Sequence, residues 1–379
     1  MVEWKIPLYK IYSDEEDVNL ITKIIKRGKQ WAMGPEIEEL EKALSNYVGT
    51  EYCIALNSGT SALHSTLLAY GLGKGDDVIV PSFSFISTAN SVLFVDSNPI
   101  FVDIEEETYG LDPSLILNNL TISTKAILPM DYAGMSCNIF DIKIIAEENN
   151  LILIEDAAEG LGSSIKGKKT GSISDSAIFS FCGNKVLTTG EGGAVVTNSK
   201  EIYEKIKLIR SHGRQDSINY FKNPSKSQYL SLGYNWRMSS LTAALGISQL
   251  KKLDKIIKMR QKNAKQLISK LAKFKEISIS DPPNGYEHIY QMFTIKLNSK
   301  KIRDSLHNFL KKKRIFSKVY FFPIHLTDFY KKNFPNSGKF LSNTEKLSNQ
   351  LLTLPLYPNM TSEEKQYLIE SISEFFEKR

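Results

Sequence analysis

Cysteine is scarce in this chain: Cys53, Cys137 and Cys182 are too few and too irregularly spaced for a disulfide framework or a zinc site. Long apolar runs are absent as well. None approaches the roughly 18 residues a membrane span needs, and the first ten residues mix charged with apolar side chains instead of forming a secretion signal. A cytoplasmic protein with no membrane partner is the expectation. Charge of one sign is not concentrated either. The excess of +6 comes from lysines such as Lys251, Lys252, Lys255 and Lys258 on helical stretches without interleaved aromatics, which reads as solvated helix faces, with no nucleic-acid partner. There is no internal repeat, no low-complexity tract and no metal site. Because no Gly-x-Gly-x-x-Gly follows the first strand, a Rossmann-type nucleotide binder is disfavoured.

What is present is enough chain, 379 residues with 42% hydrophobic, for a sizeable core and two domains. A helical pattern over 18–47 is interrupted at Gly34-Pro35. From 52 to 160, short β-rich runs (53–56, 78–80, 125–129, 151–154) alternate with helical ones (61–70, 87–94, 139–149). That alternation predicts an α/β fold, a mainly parallel sheet with helices on both faces and chemistry beyond the carboxyl ends of its strands. After Gly246 the pattern changes to a long lysine-rich helix reaching about Lys273, a strand over 290–297, a helix over 302–312 and a last helix after Pro358. The expected division is a large domain over 15–248 and a smaller α+β domain over 249–379, with 1–14 packing on the latter. The segment 214–230, with Asn223-Pro224-Ser225, reads as a loop suited to lie over a site.

Three segments carry candidate chemistry. In Asn57-Ser58-Gly59-Thr60-Ser61 a strand ends and a helix starts, so Ser58 is a natural N-cap and the N–H groups of Gly59, Thr60 and Ser61 are available to a phosphate-sized anion; plain capping is the alternative. In Leu151-Ile152-Leu153-Ile154-Glu155-Asp156 a buried strand delivers carboxylates to its end. A buried Asp156 needs a cationic or donor partner, either a local Lys or Arg or a protonated pyridine nitrogen. The strand candidate 176–181 then runs into Cys182-Gly183-Asn184-Lys185 and Thr188-Thr189-Gly190-Glu191-Gly192-Gly193. A surface turn is the bland reading of that lysine. Adjacent strand ends, however, would set Asp156 and Lys185 at opposite edges of one planar ring. An anion site, a buried acid and an amine meet three needs of pyridoxal 5'-phosphate (PLP).

These segments resemble the DegT/DnrJ/EryC1/StrS family of sugar aminotransferases, which have fold type I, the aspartate aminotransferase-like fold. The resemblance extends to Pro81-Ser82-Phe83-Ser84-Phe85, Gly233-Tyr234-Asn235-Trp236-Arg237-Met238, Phe322-Pro323-Ile324-His325 and Leu354-Pro355-Leu356. It implies a PLP enzyme with Lys185 as the Schiff-base lysine and Asp156 on the pyridine nitrogen. Ser58, Gly59, Thr60 and the Ser180 hydroxyl would hold the phosphate, and Phe85 would stack on the ring, unless it is ordinary core packing. Asn235 would reach the phosphate of a neighbouring subunit, which implies a homodimer with shared sites. His325 and Tyr229 fall near the sugar, although a satisfied loop histidine fits His325 equally. Glu159 stands where many relatives carry glutamine; as an ionised acid it cannot donate to the cofactor's phenolic oxygen, so it must be protonated or contact another group.

The resemblance further implies L-glutamate as donor, pyridoxamine 5'-phosphate as intermediate, and a nucleotide-linked 4-keto-6-deoxy sugar as acceptor, closest to GDP-perosamine synthases. UDP-4-keto-6-deoxy-N-acetylhexosamine or a dTDP-keto sugar is the alternative acceptor, and a non-catalytic sugar sensor the distant one.

Overall fold

The computed structural model describes residues 3–214, 229–335, 337–338 and 340–378. The expected loop at 214–230 therefore lies almost wholly outside the described residues. Before residue 200 the strands are β1 (Tyr52–Leu56), β2 (Asp77–Pro81), β3 (Asn98–Val102), β4 (Thr124–Ile127), β5 (Ile152–Asp156), the two-residue β6 (Ser164–Ile165) and β7 (Lys168–Lys169), β8 (Ser176–Ser180) and β9 (Gly193–Thr197). Later come β10 (Ile277–Ser278), β11 (Tyr286–Glu287), β12 (Phe293–Leu297) and β13 (Leu351–Leu354).

Seven strands make the main sheet in the order β1-β9-β8-β5-β4-β2-β3. From β3 to β8 every neighbouring pair is parallel, and β9 enters antiparallel between β8 and β1. Alternation along each strand splits the core. Ile54, Val78, Ile154, Ile178 and Val195 face the helices Gly59–Ala69, Ile86–Phe94 and Lys200–Arg210, while Ala55, Ile79, Leu153, Phe179 and Val196 face the other side. A second sheet, β10-β12-β13, packs with the helices Leu253–Leu271, Lys300–Lys312 and Ser362–Glu377, and Ile6 joins that core.

Two local readings change. The lysine-rich stretch is two helices, Ser240–Lys251 and Leu253–Leu271, broken at Lys252, whose ammonium pairs with Asp14 and Asp17. The strand expected from 290 begins at Phe293, because Tyr290 takes a left-handed backbone (φ 52°).

β1 is an edge strand, and a buried ion pair closes that edge. Glu41, on the helix Pro35–Val48, accepts from Ala55 N–H (2.8 Å) and from Arg210, whose guanidinium also donates to Ala55 C=O (2.8 Å). Removing one partner leaves the other charge stranded. Glu41→Ala is expected to destabilise the protein by about 3–5 kcal/mol, read as a lower midpoint in urea unfolding.

Candidate active site

The parallel pairing of β5 with β8 aligns Asp156 with Ile178, so the carboxyl ends of both strands open on the same side of the sheet. Asp156 is buried. Its Oδ2 accepts from the Thr88 hydroxyl (2.6 Å), which is itself bonded to Ser84 (2.6 Å), and its Oδ1 accepts from Ala158 N–H (3.3 Å). Burial pushes the Asp156 carboxyl above the ordinary range, only partly offset by Thr88, Ala158 and the nearby charge of Lys185. No lysine or arginine among the described residues pairs with it, so the salt-bridge reading of this acid is not realised.

Lys185 follows β8 on a closed loop. Its N–H bonds Cys182 C=O (2.9 Å), Gln291 donates to Asn184 C=O (2.8 Å), and the loop returns through Thr188 and Gly190, the latter at φ 83°. The side chain is 14% exposed, which sets aside a surface turn, and its ammonium lies 3.1 Å from Glu159 Oε1. The other oxygen of Glu159 accepts from Ala133 N–H (2.9 Å). Glu159 thus bridges the Lys185 amine and the Ala133 N–H.

At the start of the helix Gly59–Ala69, Ser58 is the N-cap. Its hydroxyl accepts from Ser61 N–H (3.1 Å) and bonds the Ser61 hydroxyl (2.6 Å), so the Ser61 N–H expected to be free is taken. Gly59 and Thr60 keep the N–H groups that the first turn of a helix leaves without an intrahelical acceptor. The Ser180 side chain borders them: a Cβ on Gly59 would come within 3.0 Å of Ser180 Cβ and 3.3 Å of its Oγ. On the other flank a Cβ on Gly193 would sit 2.5 Å from the Ser58 carbonyl, so only glycine lets β9 approach this turn.

The remaining candidates are less tightly gathered. Phe85, 58% exposed, precedes the helix that carries Thr88 and sits 6.5 Å from the Phe321 ring; it is not core. Asn235 is exposed on the segment whose neighbour Trp236 binds Asn57 N–H, one residue from the cap. Tyr229 is exposed at the edge of the described residues. His325 is buried with its ring between Ser82 (2.7 Å) and Glu345 (3.4 Å), and burial pushes its pKa down, as for a satisfied loop histidine. Sequence reasoning missed Thr88, Gln291 and Ala133 N–H. Only Thr88 left a trace, a β-branched hydroxyl four residues after Ser84 on the buried face of a helix.

The parts match the needs of PLP: a buried carboxylate lacking a cation, a sheltered amine, and a helix start with spare N–H groups beside a hydroxyl. Such a site on a mainly parallel seven-stranded sheet defines a fold type I transferase. The profile of the DegT/DnrJ/EryC1/StrS aminotransferase family matches residues 12–373, and the chain belongs to that family of PLP-dependent sugar aminotransferases. It is 37% identical over 299 residues to the GDP-perosamine synthase of Caulobacter vibrioides, covering 78% of each chain. With the GDP-perosamine synthase of Escherichia coli O157:H7 it shares 32% identity over 374 residues, 98% of each. Among solved structures, the Helicobacter pylori PseC aminotransferase, involved in the biosynthesis of pseudoaminic acid, superposes with TM-score 0.90 at 28% identity, covering 99% of this chain and 100% of that one. No helix among the described residues is long and apolar enough to cross a membrane.

Proposed function

We propose that this aminotransferase moves an amino group from L-glutamate to C4 of a nucleotide-linked 4-keto-6-deoxy sugar, with a GDP-linked sugar preferred. The observation that carries the reading is that Asp156, at the end of β5, and Lys185, on the loop after the adjacent parallel β8, come near enough for the lysine charge to act on the acid. The GDP preference rests on likeness to GDP-perosamine synthases. When bound, PLP supplies an aldehyde for amine exchange and a ring that accepts the electron pair left as a Cα–H bond breaks.

In this reading Gly59 and Thr60 N–H, with the Ser58 and Ser180 hydroxyls, hold the phosphate, Phe85 covers the ring face, and Asp156 holds the proton on the ring nitrogen. Lys185 fixes the group through its amine and, once released, takes the Cα proton of glutamate as a general base. Glu159 would restrain that amine through its 3.1 Å contact. Donor and acceptor occupy the same place in turn, so ping-pong kinetics are expected. The reading includes a cytoplasmic homodimer, in which Asn235 serves the partner's phosphate site, and the division at 248/249 into a large cofactor domain and a small one. Tyr229 and His325 border the sugar, His325 through the segment it anchors.

The test is a comparison of kcat/KM for GDP-4-keto-6-deoxymannose, UDP-4-keto-6-deoxy-N-acetylhexosamine and dTDP-4-keto-6-deoxyglucose with glutamate as donor. The GDP-linked sugar is expected to lead by at least about tenfold, a difference of about 1.4 kcal/mol in transition-state binding. A lead for either other sugar overturns the nucleotide preference. No turnover of any of them overturns the acceptor class.

A further inference from the structure

On the face of β5 opposite Asp156, Glu155 is fully buried and meets a second fully buried acid, Asp131, from the loop after β4. Glu155 Oε2 accepts from Gly171 N–H and the Ser174 hydroxyl, both at 3.0 Å, and Asp131 Oδ1 accepts from Cys137 N–H at 2.8 Å. The remaining oxygens, Glu155 Oε1 and Asp131 Oδ2, are buried; the two carboxyl groups lie within hydrogen-bond reach of each other, and the Cys137 thiol also bonds the Asp131 carboxyl. A Cβ on Gly160 would lie 2.8 Å from Asp131 Oδ2, so the chain leaves room there for the acid and for nothing more.

No cation faces the pair among the described residues. The titratable neighbour is the Cys137 thiol, also buried and pushed up by its burial and by the two acids; Glu105 pushes the same thiol up from farther away, and the thiol in turn raises Tyr286. Two ionised carboxylates cannot rest in contact without a counter-charge, whereas a single proton between them turns repulsion into a hydrogen bond. Burial raises the pKa of both groups; the charge of Glu155 raises Asp131 further, whereas the hydrogen bond with Asp131 pulls Glu155 back down.

The pair also touches the active site through the backbone. Asp131 N–H donates to Asp156 C=O (3.1 Å) and Asp156 N–H to Pro129 C=O (2.9 Å). Two residues beyond Asp131, Ala133 N–H holds Glu159, and Glu159 holds Lys185. We propose that Asp131 and Glu155 share one proton, and that this carboxyl pair is a positioning device which fixes the 131–133 segment so that Glu159 stays against Lys185. The positioning half rests on the transaminase reading; the shared proton does not.

Two variants separate the parts, both in the full-length protein loaded with PLP. In E155Q the amide keeps the bond to Asp131 and the acceptor for Gly171 and Ser174, but carries no titratable proton; E155M keeps the shape and loses the bonds. Infrared difference spectra at neutral pH should show the carbonyl stretch of an un-ionised carboxylic acid in the wild type that E155Q lacks. The pair keeps its proton in the folded state at a pH where unfolded carboxyls, with pKa near about 4, have released theirs. Folding therefore binds a proton, and stability falls as pH rises through the window between the unfolded and the raised folded value. The unfolding constant of the wild type, measured relative to E155Q, should climb by up to about tenfold per pH unit in that window. Identical spectra and parallel pH profiles would overturn the shared proton.

For positioning, E155M should lose about 10–100-fold in kcat with little change in KM, and E155Q should recover most of it. Wild-type kcat in E155M, or no recovery in E155Q, overturns that half. If E155M does not fold, D131N, which also keeps the bond without the shared proton, must match E155Q in spectrum, pH profile and kcat, and a mismatch overturns the proposal. A wild-type protein that turns over no keto sugar would end the transaminase reading while the spectra and pH profiles still decide the proton.

Discussion

Lys185→Ala is expected to lower transamination by about ten-thousand-fold or more. The size follows from what one amine is asked to do. In the proposed mechanism it would both anchor the cofactor by a covalent bond and move the Cα proton, and the site holds no second lysine among its described contacts. Its surroundings suit both tasks. The side chain is sheltered from solvent, the closed loop from Cys182 to Gly190 limits its reach, and Glu159 restrains the ammonium at 3.1 Å. The fold should survive the change, because Glu159 keeps its bond from Ala133 N–H and the loop is held through backbone groups. The measurement is 2-oxoglutarate released from glutamate in the presence of the keto sugar, with circular dichroism to confirm folding. Borohydride treatment of the PLP-loaded wild type, followed by peptide mapping, should label Lys185. A label elsewhere, or an alanine variant with wild-type turnover, removes the basis of the proposed chemistry.

The parts of this site that were legible in sequence are those where local pattern and chemistry coincide. The apolar run ending in Glu155-Asp156 reads as a buried parallel strand because both faces of such a strand are covered, and β5 occupies a central place in the sheet. Ser58 reads as a cap because its hydroxyl replaces a missing helical acceptor, and it caps. What stayed hidden depends on contacts between segments far apart in the chain. Thr88 reaches Asp156 across 68 residues, Gln291 reaches the lysine loop across 107, and Ala133 reaches Glu159 across 26. No periodicity encodes such pairs. The antiparallel entry of β9 was equally hidden, because a strand that begins with Gly193 right after a glycine loop has the same local pattern whichever way it pairs. Ser61 shows the limit of motif reading from the other side: its N–H looks free in the string but is consumed by the Ser58 cap.

Asp156→Asn should leave PLP binding largely intact and cost about 10–1000-fold in kcat. The range follows from the charge alone: an adjacent carboxylate shifts the pKa of a cationic partner by about 1–3 units, each worth about 1.4 kcal/mol. The amide has the same shape. Its oxygen can accept from Ala158 N–H, and the Thr88 hydroxyl, which already bonds Ser84, can turn to accept from its nitrogen. What it lacks is the charge that retains a proton on a ring nitrogen, so the deficit should widen as pH rises and that proton is lost. Stability should move the opposite way. In the PLP-free protein burial holds the Asp156 carboxyl above its ordinary pKa, so folding binds a proton and stability declines as pH rises past the unfolded carboxyl value near about 4. Asparagine has no such penalty, and the PLP-free variant should unfold at a higher temperature than the PLP-free wild type at neutral pH. An acid kept where it weakens the empty fold is explained by the cation it awaits. Unchanged kcat in the variant, or a PLP-free variant that melts below the wild type at neutral pH, would contradict that account.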